Sequence, residues 1–251
     1  MSAQPYIRLF GPTHLLILIN VPVCAAGLSW MSRRKAAAAR WTRFTLAALL
    51  TLNGLWWYWY RFRALGVRLP QGLPFELCDI SLWLTIYSLL FLRQRPFELA
   101  YYWGLGAAMA VLTPDLLGPL RSASSVNFFL RHGGTIVAVL YLICSNQLRP
   151  SPRSWRLAFF RLNLYAVLVS CFDFFFGTNY LYLRNKPASA SLLDAMGQWP
   201  IYILGADLLA LIIFLAMAMP FRESKVHATG SQAIKHGSEA SNDANYPQDQ
   251  S

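Results

Sequence analysis

The sequence predicts an all-α protein of the polytopic membrane type, a bundle of seven transmembrane helices, and three observations carry that expectation. Of 251 residues, 56% are hydrophobic and only 13% charged, whereas soluble domains run near 45–50% and about 25%. Seven apolar segments approach the ~20 residues needed to cross ~30 Å of hydrocarbon. Lys and Arg number 22 against 11 Asp and Glu, a net charge of +11. The basic residues sit in short runs between the apolar segments, where they fix membrane orientation, rather than on one face as nucleic-acid binding requires. The expected partners are therefore membrane lipids and not nucleic acid.

The predicted spans lie at 11–31, 44–60, 75–92, 97–113, 126–146, 159–176 and 198–219. Lipid offers backbone groups no partner, so segments of this length are helices. The first follows Arg8 and is interrupted by Pro12 and His14, which argues for a retained span over a cleaved signal. The second ends in Trp56-Trp57-Tyr58-Trp59-Tyr60, residue types that anchor helices at the interface. The third opens at Pro74-Phe75-Glu76. The fourth contains Gly104 and Gly106, which read as helix packing because no strand precedes them for dinucleotide binding. The fifth carries Arg131-His132-Gly133-Gly134, and its glycines suit close helix packing or approach by a ligand. The sixth ends in a Phe-rich run, and the seventh opens at Trp199-Pro200. Residues 1–219 form the membrane domain. Residues 220–251, rich in Ser, Asn, Gln and Gly, read as a disordered cytoplasmic tail.

Orientation follows from counting Lys and Arg by side. Arg33, Arg34, Lys35, Arg40, Arg43, Arg93, Arg95, Arg149, Arg153, Arg156, Arg161, Arg222, Lys225 and Lys235 make fourteen on one side. Arg8, Arg61, Arg63, Arg68, Arg121, Arg184 and Lys186 make seven on the other. The expected arrangement is a bacterial inner-membrane protein with its amino terminus outside and its tail in the cytoplasm.

Ionisable residues inside spans cost at least ~2.5–3.5 kcal/mol each at mid-bilayer, which makes them functional candidates. His14, Glu76, Asp79, Asp115, Arg131, His132 and Asp173 all fall near the outer ends of their helices, together with Asn179, Tyr180 and Trp199. Glu98 and Asp207 fall elsewhere. A shared outer-leaflet cavity accounts for this, with His14, Arg131, Asn179, Tyr180 and Trp199 as substrate-binding candidates; ordinary snorkelling of polar residues to water is the alternative. The four cysteines, Cys24, Cys78, Cys144 and Cys171, show no CxxC and no ligand spacing. No metal, cofactor or disulfide framework is expected. Cys78 stands at a helix start, where the helix amino terminus and a nearby imidazole favour the thiolate. It is either that nucleophile or a small buried hydrophobe. Asp79 cannot serve it directly, since adjacent helical residues point ~100° apart.

Several segments together resemble the YwaF family of bacterial integral membrane proteins. They are Leu77-Cys78-Asp79-Ile80-Ser81, Leu112-Thr113-Pro114-Asp115-Leu116, Phe128-Phe129 with His132-Gly133, Gly177 through Leu183, and Ser191-Leu192-Leu193-Asp194 through Trp199-Pro200 to Leu204. That family is similar to an animal transmembrane acyltransferase that remodels ether phospholipids, in which a Cys–His pair is regarded as catalytic. The resemblance implies that Cys78 is the nucleophile and His132 its base. Asp79 or Asp115 would orient the histidine, the third-group role in such sites. A lipid acyltransferase or hydrolase at the outer leaflet is thus the expected activity, with a small-solute or proton-coupled transporter as the rival.

Overall fold

The computed structural model describes residues 6–187 and 191–221, and every regular element among them is helical. Helices α1 (Pro12–Arg34) and α2 (Ala36–Arg63) are followed by α3 (Leu77–Phe91), α4 (Gln94–Trp103) and α5 (Leu105–Leu112), then by α6 (Ala123–Cys144), α7 (Ser154–Phe176) and α8 (Ile201–Ala218). Short 3₁₀ turns occur at Tyr180–Tyr182, Leu192–Met196 and Met219–Phe221. Among the described residues four helical segments are long and apolar enough to cross a membrane: Pro12–Arg34, Ala123–Cys144, Ser154–Phe176 and Ile201–Phe221. The predicted tail lies, from residue 222, outside the described residues.

Helix ends follow local chemistry. Pro12 occupies the first turn of α1, where its missing N–H costs nothing. The Ser122 side chain accepts from Ser125 N–H at 3.3 Å and caps α6. Gly177, at φ 67°, ends α7 in the left-handed conformation that terminates helices.

Two expected boundaries need correction. The predicted 31–43 loop is helical except at Lys35, because Ala36–Ala39 favour helix and arginines at an interface do not end one. The predicted fourth span divides into α4 and α5 at Gly104. A Cβ there would stand 2.6 Å from the Ala100 carbonyl oxygen, so the junction requires glycine.

One buried cluster joins α2, α3, α4 and α6 through Leu50, Leu82, Leu89, Phe97, Tyr141 and Leu142. A smaller one joins α4, α7 and α8 through Tyr102, Trp103, Ala158 and Phe214. Gly133 and Gly134 serve packing: added Cβ atoms would lie 3.6 Å from Val21 and 2.9 Å from Leu50. The outward faces of α1, α2, α7 and α8 expose Leu16, Leu52, Leu168, Phe174 and Leu204, all large and apolar, as helices facing acyl chains require.

Candidate functional site

The start of α3 and the first half of α6 bring the two predicted catalytic residues to one cavity of about 780 Å³, which Cys78 and His132 both line. That size lies within the range of small-molecule sites, ~300–1,000 Å³. The wall also includes Trp57 and Arg61 from α2, Glu76, Gly106 and Ala110 from α5, Asp115, Arg131, and the α7–α8 pair Asn163 and Asp207. Apolar side chains such as Leu77, Phe128, Leu162 and Ile203 fill the intervals. The lining draws on the end of α2, the starts of α3, α6 and α8, α5 with the loop after it, and the middle of α7, so polar residues of one bundle end converge there with Asn163 and Asp207 from further along α7 and α8.

The bond made by His132 selects its tautomer. Its Nδ1 lies 2.9 Å from the Phe128 carbonyl oxygen, and a carbonyl only accepts. Nδ1 therefore carries the proton, which leaves the Nε2 lone pair as a base. The ring packs on Phe128 with centroids 4.4 Å apart. Of the other thiols, Cys24 and Cys171 are exposed on the outer surface of their helices and Cys144 is half-buried; none of the three lines the cavity.

Asp79 does not orient His132. Its Oδ1 accepts from Arg131 Nη1 at 2.7 Å, both side chains being almost wholly buried. A guanidinium in this interior gains from a neighbouring carboxylate, so Arg131 meets the cavity as one half of an ion pair. Arg131 still lines the cavity, its guanidinium 5.0 Å from the centre of the Trp57 ring. The group behind His132 is thus a backbone carbonyl and not a carboxylate. Asp115, in the loop that follows α5, lines the cavity.

The remaining substrate-binding candidates are fasteners. His14 is fully buried. Its Nδ1 accepts from Phe10 N–H at 3.0 Å and its Nε2 donates to the Val111 carbonyl at 2.8 Å, so neither nitrogen is available to a substrate. Val111 lies in the last turn of α5, where carbonyls lack helical partners.

Asn179, Tyr180 and Trp199 hold the loop after α7, whose Leu181, Tyr182 and Leu183 wall the cavity. Asn179 Oδ1 accepts from Arg184 N–H and Asn185 N–H, each at 3.0 Å, and its amide donates to Asn185 O at 2.9 Å. The Tyr180 hydroxyl donates to Pro70 O at 2.7 Å, and Trp199 Nε1 donates to Leu183 O at 3.1 Å. Asp173, fully buried at the end of α7, accepts from the Thr178 hydroxyl and from Tyr180 N–H. Glu76 joins the loop to the start of α3 by accepting from Leu181 N–H at 3.3 Å. The backbone groups of an irregular loop need partners, and these side chains supply them.

Arg61 and Asn163, which are not among the predicted site residues, also line the cavity, as do Glu76 and Asp207, which stand out in the sequence only as ionisable residues within spans. Asn163 donates to Asp207 at 3.1 Å, and this pairing of α7 with α8 places Asp207 on the cavity. The signal was available: a polar residue one helix over at matching depth. Glu98, by contrast, accepts from Gln94 and from the Ser151 backbone N–H and hydroxyl, and does not line the cavity. Among the described residues no group of three or more His, Cys, Asp or Glu could hold a metal ion.

Fold and site together define a multi-pass membrane protein with an amphipathic cavity among its helices. The chain belongs to the TMEM164 family, whose model matches residues 9–218. It is 29% identical over 155 residues to an uncharacterized protein of Treponema pallidum (strain Nichols), covering 61% of this chain and 63% of that one. The match therefore spans less than two thirds of that relative's length. No solved structure matches the chain.

Proposed function

We propose that the protein is a thiol-dependent acyltransferase or hydrolase that acts on a lipid at the outer leaflet of a bacterial inner membrane. In this reading it crosses seven times, α4 and α5 together forming one span, with its amino terminus outside. The single observation that supports the chemistry is that Cys78 and His132 line one cavity while Cys24, Cys144 and Cys171 do not. The YwaF resemblance points to the same pair.

His132 Nε2 takes the Cys78 proton, and the thiolate attacks the carbonyl carbon of an acyl ester. The ester C–O bond breaks, a thioester forms on Cys78, and the departing alkoxide takes the proton from His132. His132 then deprotonates an acceptor, either a lysolipid hydroxyl or water, whose oxygen attacks the thioester and returns the thiol. The first-turn amides of α3 at Leu77 and Cys78 have no helical acceptor, and they face the developing oxyanion in this scheme. The mostly apolar wall takes the acyl chain.

The test is acyl exchange in membranes containing a labelled phospholipid, with trapping of a hydroxylamine-sensitive acyl group on the protein. Cys78→Ala should abolish both signals, while Cys171→Ala should retain them. Undiminished exchange in Cys78→Ala would refute the enzyme reading. The Asn163–Asp207 pair favours the second reading, transport of a small solute through the cavity. That reading gains only if Asp207→Asn abolishes solute uptake while Cys78→Ala leaves it intact.

A further inference from the structure

Cys78 and Asp79 are neighbours on α3, and Arg131 and His132 are neighbours on α6. The Asp79–Arg131 bond of 2.7 Å therefore fastens the two helices one residue away from the nucleophile on one side and from the base on the other. We propose that this ion pair is the positioning element of the Cys78–His132 site, setting the rotation and axial register that turn both side chains into the same cavity. The inference rests on the thiol-transfer reading above and adds to it the residues that hold the reacting pair in place.

The rest of the α3–α6 contact supplies little register of its own. Thr85 and Ser88 of α3 donate to their own helix at Ser81 O and Leu84 O, and Thr135 of α6 donates to Arg131 O. Ser81 reaches toward α4, at Ala100 O. Among the described residues, Asp79–Arg131 is the one polar link between α3 and α6. The remaining contact is apolar, through Leu82, Ile86, Ala138, Val139 and Leu142, and apolar packing tolerates small slips. A slip of one residue turns a helix by ~100° and shifts it by ~1.5 Å, enough to carry His132 off the cavity wall.

Buried ion pairs add little net stability compared with apolar residues of similar volume, and their best-attested use is to specify register. Here the pair is held further by the Trp57 ring beneath the guanidinium, 5.0 Å away, which ties α2 to the same point. Adjacent residues on a helix diverge by ~100°. Facing Asp79 toward Arg131 therefore turns Cys78 away from that contact, and the same holds for His132.

The experiment uses the full chain in lipid nanodiscs with Cys24, Cys144 and Cys171 changed to Ala, so that Cys78 is the remaining thiol. Its alkylation by iodoacetamide is followed as a function of pH, with and without His132→Ala, in the native background and in Asp79→Leu with Arg131→Met. The double replacement removes both charges together, since either alone strands its partner in the interior. Thermal melting confirms that it folds, and Asp79→Asn with Arg131→Gln serves as the second variant. In the native background His132→Ala should slow alkylation at neutral pH at least about tenfold, the lower side of what a positioned base contributes. In either double variant that difference should vanish and the two pH profiles should coincide. A His132 effect that persists undiminished in a folded double variant overturns the positioning role. Absence of any His132 effect in the native background overturns the Cys–His reading itself.

Discussion

Replacing His14 by Ala tests whether this histidine is a strut or a ligand. The ring is fully buried, accepts from Phe10 N–H at 3.0 Å and donates to the Val111 carbonyl at 2.8 Å. Truncation opens a void where a large-to-small core change costs ~2–5 kcal/mol. It also strands the Val111 carbonyl, at a further ~1–3 kcal/mol if water cannot replace the imidazole. Partial relaxation makes these terms overlap, so a net loss of roughly 3–5 kcal/mol is expected. In a chain of this size each kcal/mol moves the melting midpoint by ~2–4 °C, which predicts a fall of roughly 6–20 °C. The assay is thermal unfolding of the purified protein in detergent, followed by tryptophan fluorescence. Acyl exchange would be measured well below the lowered midpoint, where it should persist, because His14 does not line the cavity. An unchanged midpoint together with a selective loss of exchange would refute the reasoning and return His14 to the substrate.

Further variants separate cavity walls from scaffold. Gly104→Ala brings a Cβ to 2.6 Å from Ala100 O; it should cost about 1–3 kcal/mol as overpacking does and, by displacing α5 with Gly106 and Ala110, reduce lipid acyl exchange even at temperatures where the protein stays folded. Asp173→Ala removes the acceptor of the Thr178 hydroxyl and Tyr180 N–H; limited proteolysis should then cut within 177–186 far faster than in the native chain, and equal cutting rates would show that the loop is held otherwise.

The presence of the helices, though not all their limits, was legible in the sequence because lipid offers a backbone no alternative partner, so apolar length alone selects helix. Among the described residues seven helical segments overlap the predicted spans once α4 and α5 are joined, and four of them are long and apolar enough to cross a membrane. Hydropathy marks the hydrocarbon rather than the helix, which is why α2 and α7 begin earlier than predicted, at Ala36 and Ser154. The polar residues of one bundle end could also be gathered from helix polarity alone, and Cys78, Asp115, Arg131 and His132 do share a cavity. Their partners could not be read in this way. That Asp79 takes Arg131, that His132 rests on Phe128 O, and that His14 spans from Phe10 to Val111 all depend on how the helices rotate against one another. Asn179, Tyr180 and Trp199 carry the chemistry of a binding loop, yet here they hold that loop's own backbone. Composition and spacing decide which polar groups lie at a given depth. Only the tertiary structure decides which of them satisfy one another and which remain to face a substrate, because every buried polar group first takes the nearest partner the packing allows.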